Sequence, residues 1–394
     1  MFELNITLPV IISAAVLLVA VLWLLIGWCS YVRSVRARVV ADSETPVPEG
    51  PEAYPQVSIV VYSEDDAENL EVLLPALLTQ DYPEQFEVIV VNDGAVSSTK
   101  DVISRMEQIY SNLYMTFTPL DSRSLSRKKL AVTLGIKAAR FEVIVHLTGD
   151  CRVTSDQWLR HIGRHFGDGK ELVIGYAYPV GTDGDETPHP NRRLHAFSQV
   201  RTAVEYLSWA IAGRPYRGDS HNLAYRRSIF FRSKGFSKSL NLKYGDDDVF
   251  VNEVATGENT AVELSADSMV QVVSNNPAAM HRHDKLRYGF TGRLIRRSAL
   301  TFFATCSWMW WLAIGATVAM SLFGLPSLIP MIAGVVILLS TWICMAVAWR
   351  GTALSLCSTA ACLTFPWFMS IHPLYTLIYW WRGWRTRKSN YTWQ

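Results

Sequence analysis

The chain has little with which to build a secreted, disulfide-framed domain. Of its six cysteines, Cys29, Cys306, Cys344, Cys357 and Cys362 lie in or beside apolar runs, and only Cys151 sits in polar sequence. That distribution offers neither a disulfide framework nor a zinc-ligand spacing, and it fits a reducing compartment. Charge is scarce as well: 18% of residues are charged, the net charge is +2 and no long basic tract exists, which excludes nucleic acid as a partner. Charged residues are absent altogether between Glu3 and Arg33, between Arg297 and Arg350, and between Arg350 and Arg382. A wholly soluble protein is excluded by stretches of that kind. A cleaved signal peptide is not expected either, because the basic residues follow the first apolar run and do not precede it.

What is present is membrane material at both ends of a soluble middle. Leu8 to Trp28 is an apolar run of about the 20 residues a helix needs to cross a hydrocarbon core. Arg33, Arg36 and Arg38 follow it, so the positive-inside bias puts the N-terminus outside and the soluble domain in the cytoplasm of a bacterial-type plasma membrane. Two more spans are expected at Ala299–Phe323 and Leu328–Ala348, joined by a tight turn around Pro326. In Ala353 to Trp381 a break is expected at Pro366, His372 and Pro373, giving a re-entrant or in-plane pair in preference to a third span. Trp380, Trp381 and Trp384 beside Arg382, Arg385, Arg387 and Lys388 suit the headgroup level. The chain therefore divides into an anchor (1–30), a juxtamembrane basic segment with a proline-rich linker (31–54), a soluble domain (55–290) and a C-terminal membrane region (291–394).

Within the soluble domain, strands and helices alternate. Val57–Val61, Phe86–Val91, Tyr114–Thr118 and Val143–Leu147 read as strands from their β-branched and apolar residues. Between them, Asp66 precedes an apolar helical face of Leu70, Leu73, Leu74, Leu77 and Leu78, and Ser97–Tyr110 and Lys128–Ala139 read as further helices. This order implies an α/β fold with a mainly parallel sheet and helices on both faces. Ligands in such sheets bind outside the carboxyl ends of the strands. Two carboxylates leave that edge, in Asn92-Asp93-Gly94 and in Thr148-Gly149-Asp150. Taken singly, the first can be a turn and the second a helix cap.

Pro55 to Glu64, the segment Leu-Leu-Thr-Gln-Asp-Tyr-Pro83, and Phe86 to Gly94 together resemble the nucleotide-binding half of glycosyltransferase family 2, whose fold is called GT-A, with matching order over roughly residues 55–285. The resemblance implies an inverting transfer from a nucleotide-sugar, commonly a uridine diphosphate sugar. The acceptor is expected to be a lipid or lipid-linked molecule at the membrane. It implies that Asp93 reads the base, that Tyr62 and Glu64 line the nucleoside pocket, and that Lys128 stands near the nucleotide. The family's Asp-x-Asp motif falls at Thr148-Gly149-Asp150, so Asp150 is the expected ligand of Mg²⁺ or Mn²⁺ while Thr148 replaces the first aspartate. A single carboxylate can suffice, since these ions keep waters and share substrate phosphate oxygens.

Gly245-Asp246-Asp247, within three consecutive carboxylates ending at Asp248, is similar to the Gly-Asp-Asp of hyaluronan synthases. The similarity assigns the general base to Asp247, with Asp246 or Asp248 as the next choice. His221-Asn222 resembles the segment bordering the donor sugar and acceptor cleft, and is equally readable as ordinary polar loop. The Gln-x-x-Arg-Trp of many membrane-bound members is absent at Met280–Asp284, where Arg282 is the expected substitute against the diphosphate, or a basic residue of a membrane-facing helix. That absence makes a processive polysaccharide synthase the weaker alternative, and a non-catalytic protein keeping the fold is another.

Overall fold

The structure, a computed structural model, describes residues 7–94, 97–119, 126–181, 190–274, 276–359 and 362–385. Arg387 and Lys388 of the expected C-terminal basic cluster lie outside the described residues. Two compact units emerge: Met1–Ala37, Pro188–Ser208 and Arg297–Trp381 form one, and Arg38–Thr187, Trp209–Arg296 and Arg382–Gln394 form the other.

The second unit holds the strands β1 (Val57–Ser63), β2 (Phe86–Asn92), β3 (Leu113–Phe117), β4 (Val143–Thr148), β5 (Cys151–Val153), β6 (Leu172–Ile174), β7 (Ala177–Gly181), β8 (Leu223–Arg226), β9 (Thr260–Val262) and β10 (Val270–Ser274). Seven of them make one sheet in the order β3-β2-β1-β4-β8-β6-β9. Only β8 runs against its neighbours β4 and β6, so the sheet is mainly parallel, as the alternation implies. β1, β2 and β4 are buried almost residue for residue, which is the signature of strands covered on both faces. The helix Ala67–Leu78 packs the expected leucines into the core. Its N-cap residue Asp66 makes no side-chain capping bond and accepts instead from the Glu64 amide at 3.2 Å.

Helix Arg127–Ala138 lies against β1 and β2 at Gly135, where an added Cβ would come within 2.5 Å of Val60 Cγ1 and 2.8 Å of Val91 Cγ2. A second sheet, β5-β10-β7, was not legible in the sequence. The proline-rich stretch is more than a tether. Helix Cys29–Glu44 runs through the expected start of the linker, and its Asp42 is buried, accepting from the Leu264 amide and from Arg38, each at 2.9 Å. Tyr54 is buried too, its hydroxyl donating to Pro48 O at 2.6 Å.

Among the described residues, three helices are long and apolar enough to cross a membrane: Leu8–Glu44, Ser298–Phe323 and Ile329–Ser355. Leu17, Ala20 and Val21 of the first pack on Ala313, Ala316 and Met320 of the second. Small residues at such a seam let helices approach closely. The tract expected to break near Pro373 is one helix, Phe365–Arg385, with Pro373 inside it. The described residues 190–208 group with these apolar helices although the sequence reading places them in the soluble domain. The reason is visible in the buried Arg201, which donates to Ser307 Oγ at 2.7 Å, to Phe303 O at 3.2 Å and to Glu205 at 3.1 Å. A buried guanidinium that finds this many acceptors can be kept among apolar helices.

Candidate active site

Parallel pairing fixes three chain exits at one level of the sheet. Ser63 is paired with Asn92 and Tyr62 with Thr148, so Glu64, Asp93 and Asp150 all follow at the same edge. Asp93 is buried, and its Oδ1 accepts from Arg127 Nη2 at 2.6 Å. The Tyr62 hydroxyl lies 3.2 Å from Asp93 Oδ2 and 3.2 Å from Glu64 Oε2. One phenolic hydrogen can serve only one of these acceptors fully. Burial first, then the two carboxylates, raises the Tyr62 phenol well above its ordinary value. Tyr62, Glu64 and Asp93 are thus brought together as the resemblance implies; Arg127, which completes the group, was missed.

At the neighbouring exit the Thr148 hydroxyl donates to Asp150 Oδ1. The substituted residue therefore hydrogen-bonds the retained carboxylate where the family's aspartate would repel it. Burial first, and the Asp150 charge among its other neighbours, raise the Asp66 carboxyl. Among the described residues no three His, Cys, Asp or Glu side chains converge as a metal site. The hard oxygens of Asp150 fit Mg²⁺ or Mn²⁺ only if donor phosphates and water complete the shell.

The acidic triplet is buried throughout, with Asp246 at 5% exposure and Asp247 and Asp248 at 0%, so each needs its own compensation. Asp246 is 3.0 Å from Lys128 Nζ, which also donates to Ser220 Oγ at 2.8 Å. Burial works against its ionisation, but Lys128, Arg287 and His146 outweigh it and hold the Asp246 carboxyl well below the usual range. Asp248 accepts from the Thr291 hydroxyl and, at 2.8 Å, from the Val249 amide. Asp247 accepts from the Asp248 amide at 2.7 Å and lies 3.2 Å from Arg287 Nη2. Burial, then Asp246 and Asp248, push its carboxyl up to about 7 against the pull of Arg287. A carboxyl poised near neutrality is what a general base requires.

The turn that carries the triplet is held from beneath. Lys129, 1% exposed, donates from Nζ to Ser239 O at 2.6 Å, Leu242 O at 3.1 Å and Tyr244 O at 2.7 Å. Gly245 then turns the chain at φ 103°, a left-handed conformation that favours glycine. Burial lowers the Lys129 ammonium to about 8 against the raising effect of the three aspartates.

His221 and Asn222 separate in role. Asn222 is buried and donates from Nδ2 to Tyr176 O at 3.1 Å and Ser268 O at 2.8 Å, which makes it a brace for the loop. The His221 ring instead pairs with Asp219, Nδ1 to Oδ1 at 2.5 Å. Arg282 is exposed, and the arginine that reaches the triplet is Arg287. Arg287 lies over the Tyr288 ring, 4.9 Å from its centre, and Arg217 does the same at 4.3 Å. Asp284-x-x-Arg287-Tyr288 keeps the spacing of Gln-x-x-Arg-Trp, a signal available in the sequence but read a few residues too early.

Comparison with known proteins bears on this arrangement. Residues 56–241 match the family Glycosyl transferase family 2. The chain is 30% identical over 132 residues to "Glycosyltransferase AglE" of Haloferax volcanii, a match covering 32% of this chain and 42% of that relative's length. The structure is similar to "Mannosyltransferase PcManGT from Pyrobaculum calidifontis in complex with GDP-Man and Mn2+", with a TM-score of 0.50 and 17% identity over 88% of this chain and 97% of that one. At that identity the likeness establishes the shared GT-A fold.

Proposed function

We propose, from the match of residues 56–241 to Glycosyl transferase family 2, that this chain transfers a sugar from a nucleotide-sugar to a lipid or lipid-linked acceptor at the cytoplasmic membrane face, with inversion. The single observation that carries the reading is Asp247: a fully buried carboxylate 3.2 Å from Arg287, between two further buried aspartates, in the unit whose sheet edge carries Tyr62, Glu64, Asp93 and Asp150.

Asp93 with Arg127, and Tyr62 with Glu64, would take the base and ribose. Asp150 would hold Mg²⁺ or Mn²⁺ together with donor phosphate oxygens; when bound, the ion supplies Lewis-acid neutralisation of the leaving diphosphate. Asp247 takes the proton from the acceptor hydroxyl as that oxygen bonds the anomeric carbon. The bond from that carbon to the phosphate oxygen breaks, and its electron pair leaves with the nucleoside diphosphate. Lys128 keeps Asp246 ionised, and Arg287, once released from Asp247, is placed to receive phosphate charge. The Pyrobaculum mannosyltransferase complex contains GDP-Man and Mn²⁺, so guanosine donors belong in the test beside uridine ones.

The test is transfer of radiolabel from a panel of UDP- and GDP-sugars into a membrane lipid extract by the purified protein in detergent. Label in the organic phase, lost in Asp247→Asn, is the expected result. Label in a water-soluble polymer would favour a processive synthase, and no transfer from any donor would favour a non-catalytic protein.

A further inference from the structure

A histidine paired with an aspartate lies near Thr148, the position where the family's first aspartate is missing. β8 runs antiparallel to β4 with His146 opposite Leu223, and the turn that leads into β8 carries His221. The Cys151 thiol marks the proximity, lying 3.4 Å from Thr148 Oγ1 and 3.7 Å from His221 O. The ring is fixed at one end: Asp219 Oδ1 is 2.5 Å from Nδ1 and also accepts from the His221 amide at 3.1 Å. Its other nitrogen, Nε2, has no hydrogen-bond partner among the described residues, and the side chain keeps 15% of its surface open.

We propose that His221, oriented by Asp219, is a donor-binding residue that contacts the diphosphate of the nucleotide-sugar through Nε2–H and does part of the charge neutralisation otherwise left to the divalent ion. The inference rests on the donor site proposed above and adds to it a metal-independent component. Threonine at position 148 adds no negative charge beside this ring and gives its hydroxyl to Asp150. The groups facing the ring are Asp219 from its own loop, Asp150 from the turn between β4 and β5, Lys128 from helix Arg127–Ala138 and His146 from β4. Burial opposes the imidazolium, but Asp219, 2.5 Å away, outweighs it and raises the ring's pKa, which favours the charged form. Asp219 is in turn drawn well below the usual range, against its burial, by His221 and Arg287.

The experiment is thermal stabilisation of the full chain in detergent by GDP, UDP and inorganic pyrophosphate, each in EDTA and in Mg²⁺. Wild type should retain nucleotide stabilisation in EDTA. His221→Gln should weaken metal-free affinity by about tenfold or more, the worth of one charge-assisted hydrogen bond, while keeping the increment that Mg²⁺ adds. Asp150→Ala should do the reverse. Asp219→Asn gives a second reading that loss of fold cannot imitate: metal-free binding should become pH-dependent, returning as the pH falls below about 6.5, the ordinary histidine value. Stabilisation only in Mg²⁺, or full metal-free affinity in His221→Gln, overturns the inference and leaves the donor site standing. No stabilisation by any nucleotide in any condition overturns the donor site itself, and stabilisation by pyrophosphate equal to that by GDP or UDP would locate the binding in the diphosphate alone.

Discussion

At the scale of single residues, three adjacent aspartates have three different fates, and the difference is set by what each one faces. Asp246 has a lysine, Asp248 a hydroxyl and a backbone amide, and Asp247 an arginine that only partly offsets its burial. Asp247→Asn keeps the shape and cannot take a proton, so transfer should fall by about 10²–10⁴ with donor-induced stabilisation little changed. Because the Asp247 carboxyl is raised to about 7, the wild-type rate should climb as pH passes upward through that value and the carboxylate forms. The same shift means the folded state holds a proton that the unfolded chain has lost from its ordinary value near 4. This group's contribution to stability is therefore full below that value and is lost as pH rises through about 7. A pH–rate profile without that acid limb would remove Asp247 as the base. The triplet stood out in the sequence because acids so crowded demand compensation, while the choice of Asp247 within it came from the similarity to the Gly-Asp-Asp of hyaluronan synthases. Arg287 was harder to find: five residues beyond Arg282 is about 140° round a helix, and composition does not say which arginine faces inward.

At the scale of elements, the first turn of helix Arg127–Ala138 sends three consecutive basic side chains to three destinations: Asp93, Asp246 and the carbonyls of residues 239–244. Lys129→Met keeps the length of the side chain and removes all three donors, leaving those carbonyls unanswered. Transfer should drop at least tenfold with donor affinity within a factor of about three, a split measurable by comparing rates with nucleotide-induced stabilisation. Equal losses in both would mean that Lys129 supports the whole site and not the triplet turn. Gly135→Ala would force the same helix off β1 and β2, since Val60 and Val91 leave no room for a methyl, and should destabilise the fold by about 1–3 kcal/mol in chemical unfolding. The large sheet could be read from its apolar β-branched runs. The small one could not, because β5 has only three residues and a pattern that short has no measurable period. The continuation of the first helix to Glu44 was likewise hidden, since it depends on distant partners for Asp42 and not on local propensity.

At the scale of the whole molecule, the basic residues after the first span set an expectation about sidedness. Protease added to sealed, right-side-out cells should leave residues 50–290 intact, and their digestion from outside would reverse the cytoplasmic assignment. The helices long and apolar enough to cross a membrane were legible from their charge-free runs. What they did not reveal is where the anchor stops being an anchor. Arg38 and Asp42 sit on the helix that begins in the apolar run, yet they bond Val262 O at 2.8 Å and the Leu264 amide at 2.9 Å, and Arg164 reaches Thr45 O at 3.2 Å as well as Glu263 at 2.7 Å. Asp42→Ala should accordingly lower the unfolding free energy by about 1–3 kcal/mol without touching donor chemistry, as read by denaturant titration beside nucleotide stabilisation. For anyone trimming the N-terminal apolar run from this chain, the proline run at 46–55 is a misleading place to cut: a fragment begun there discards the helical turns through which Arg38 and Asp42 bond Val262 and Leu264, whereas one begun at Arg38 keeps them and sheds only the greasy stem.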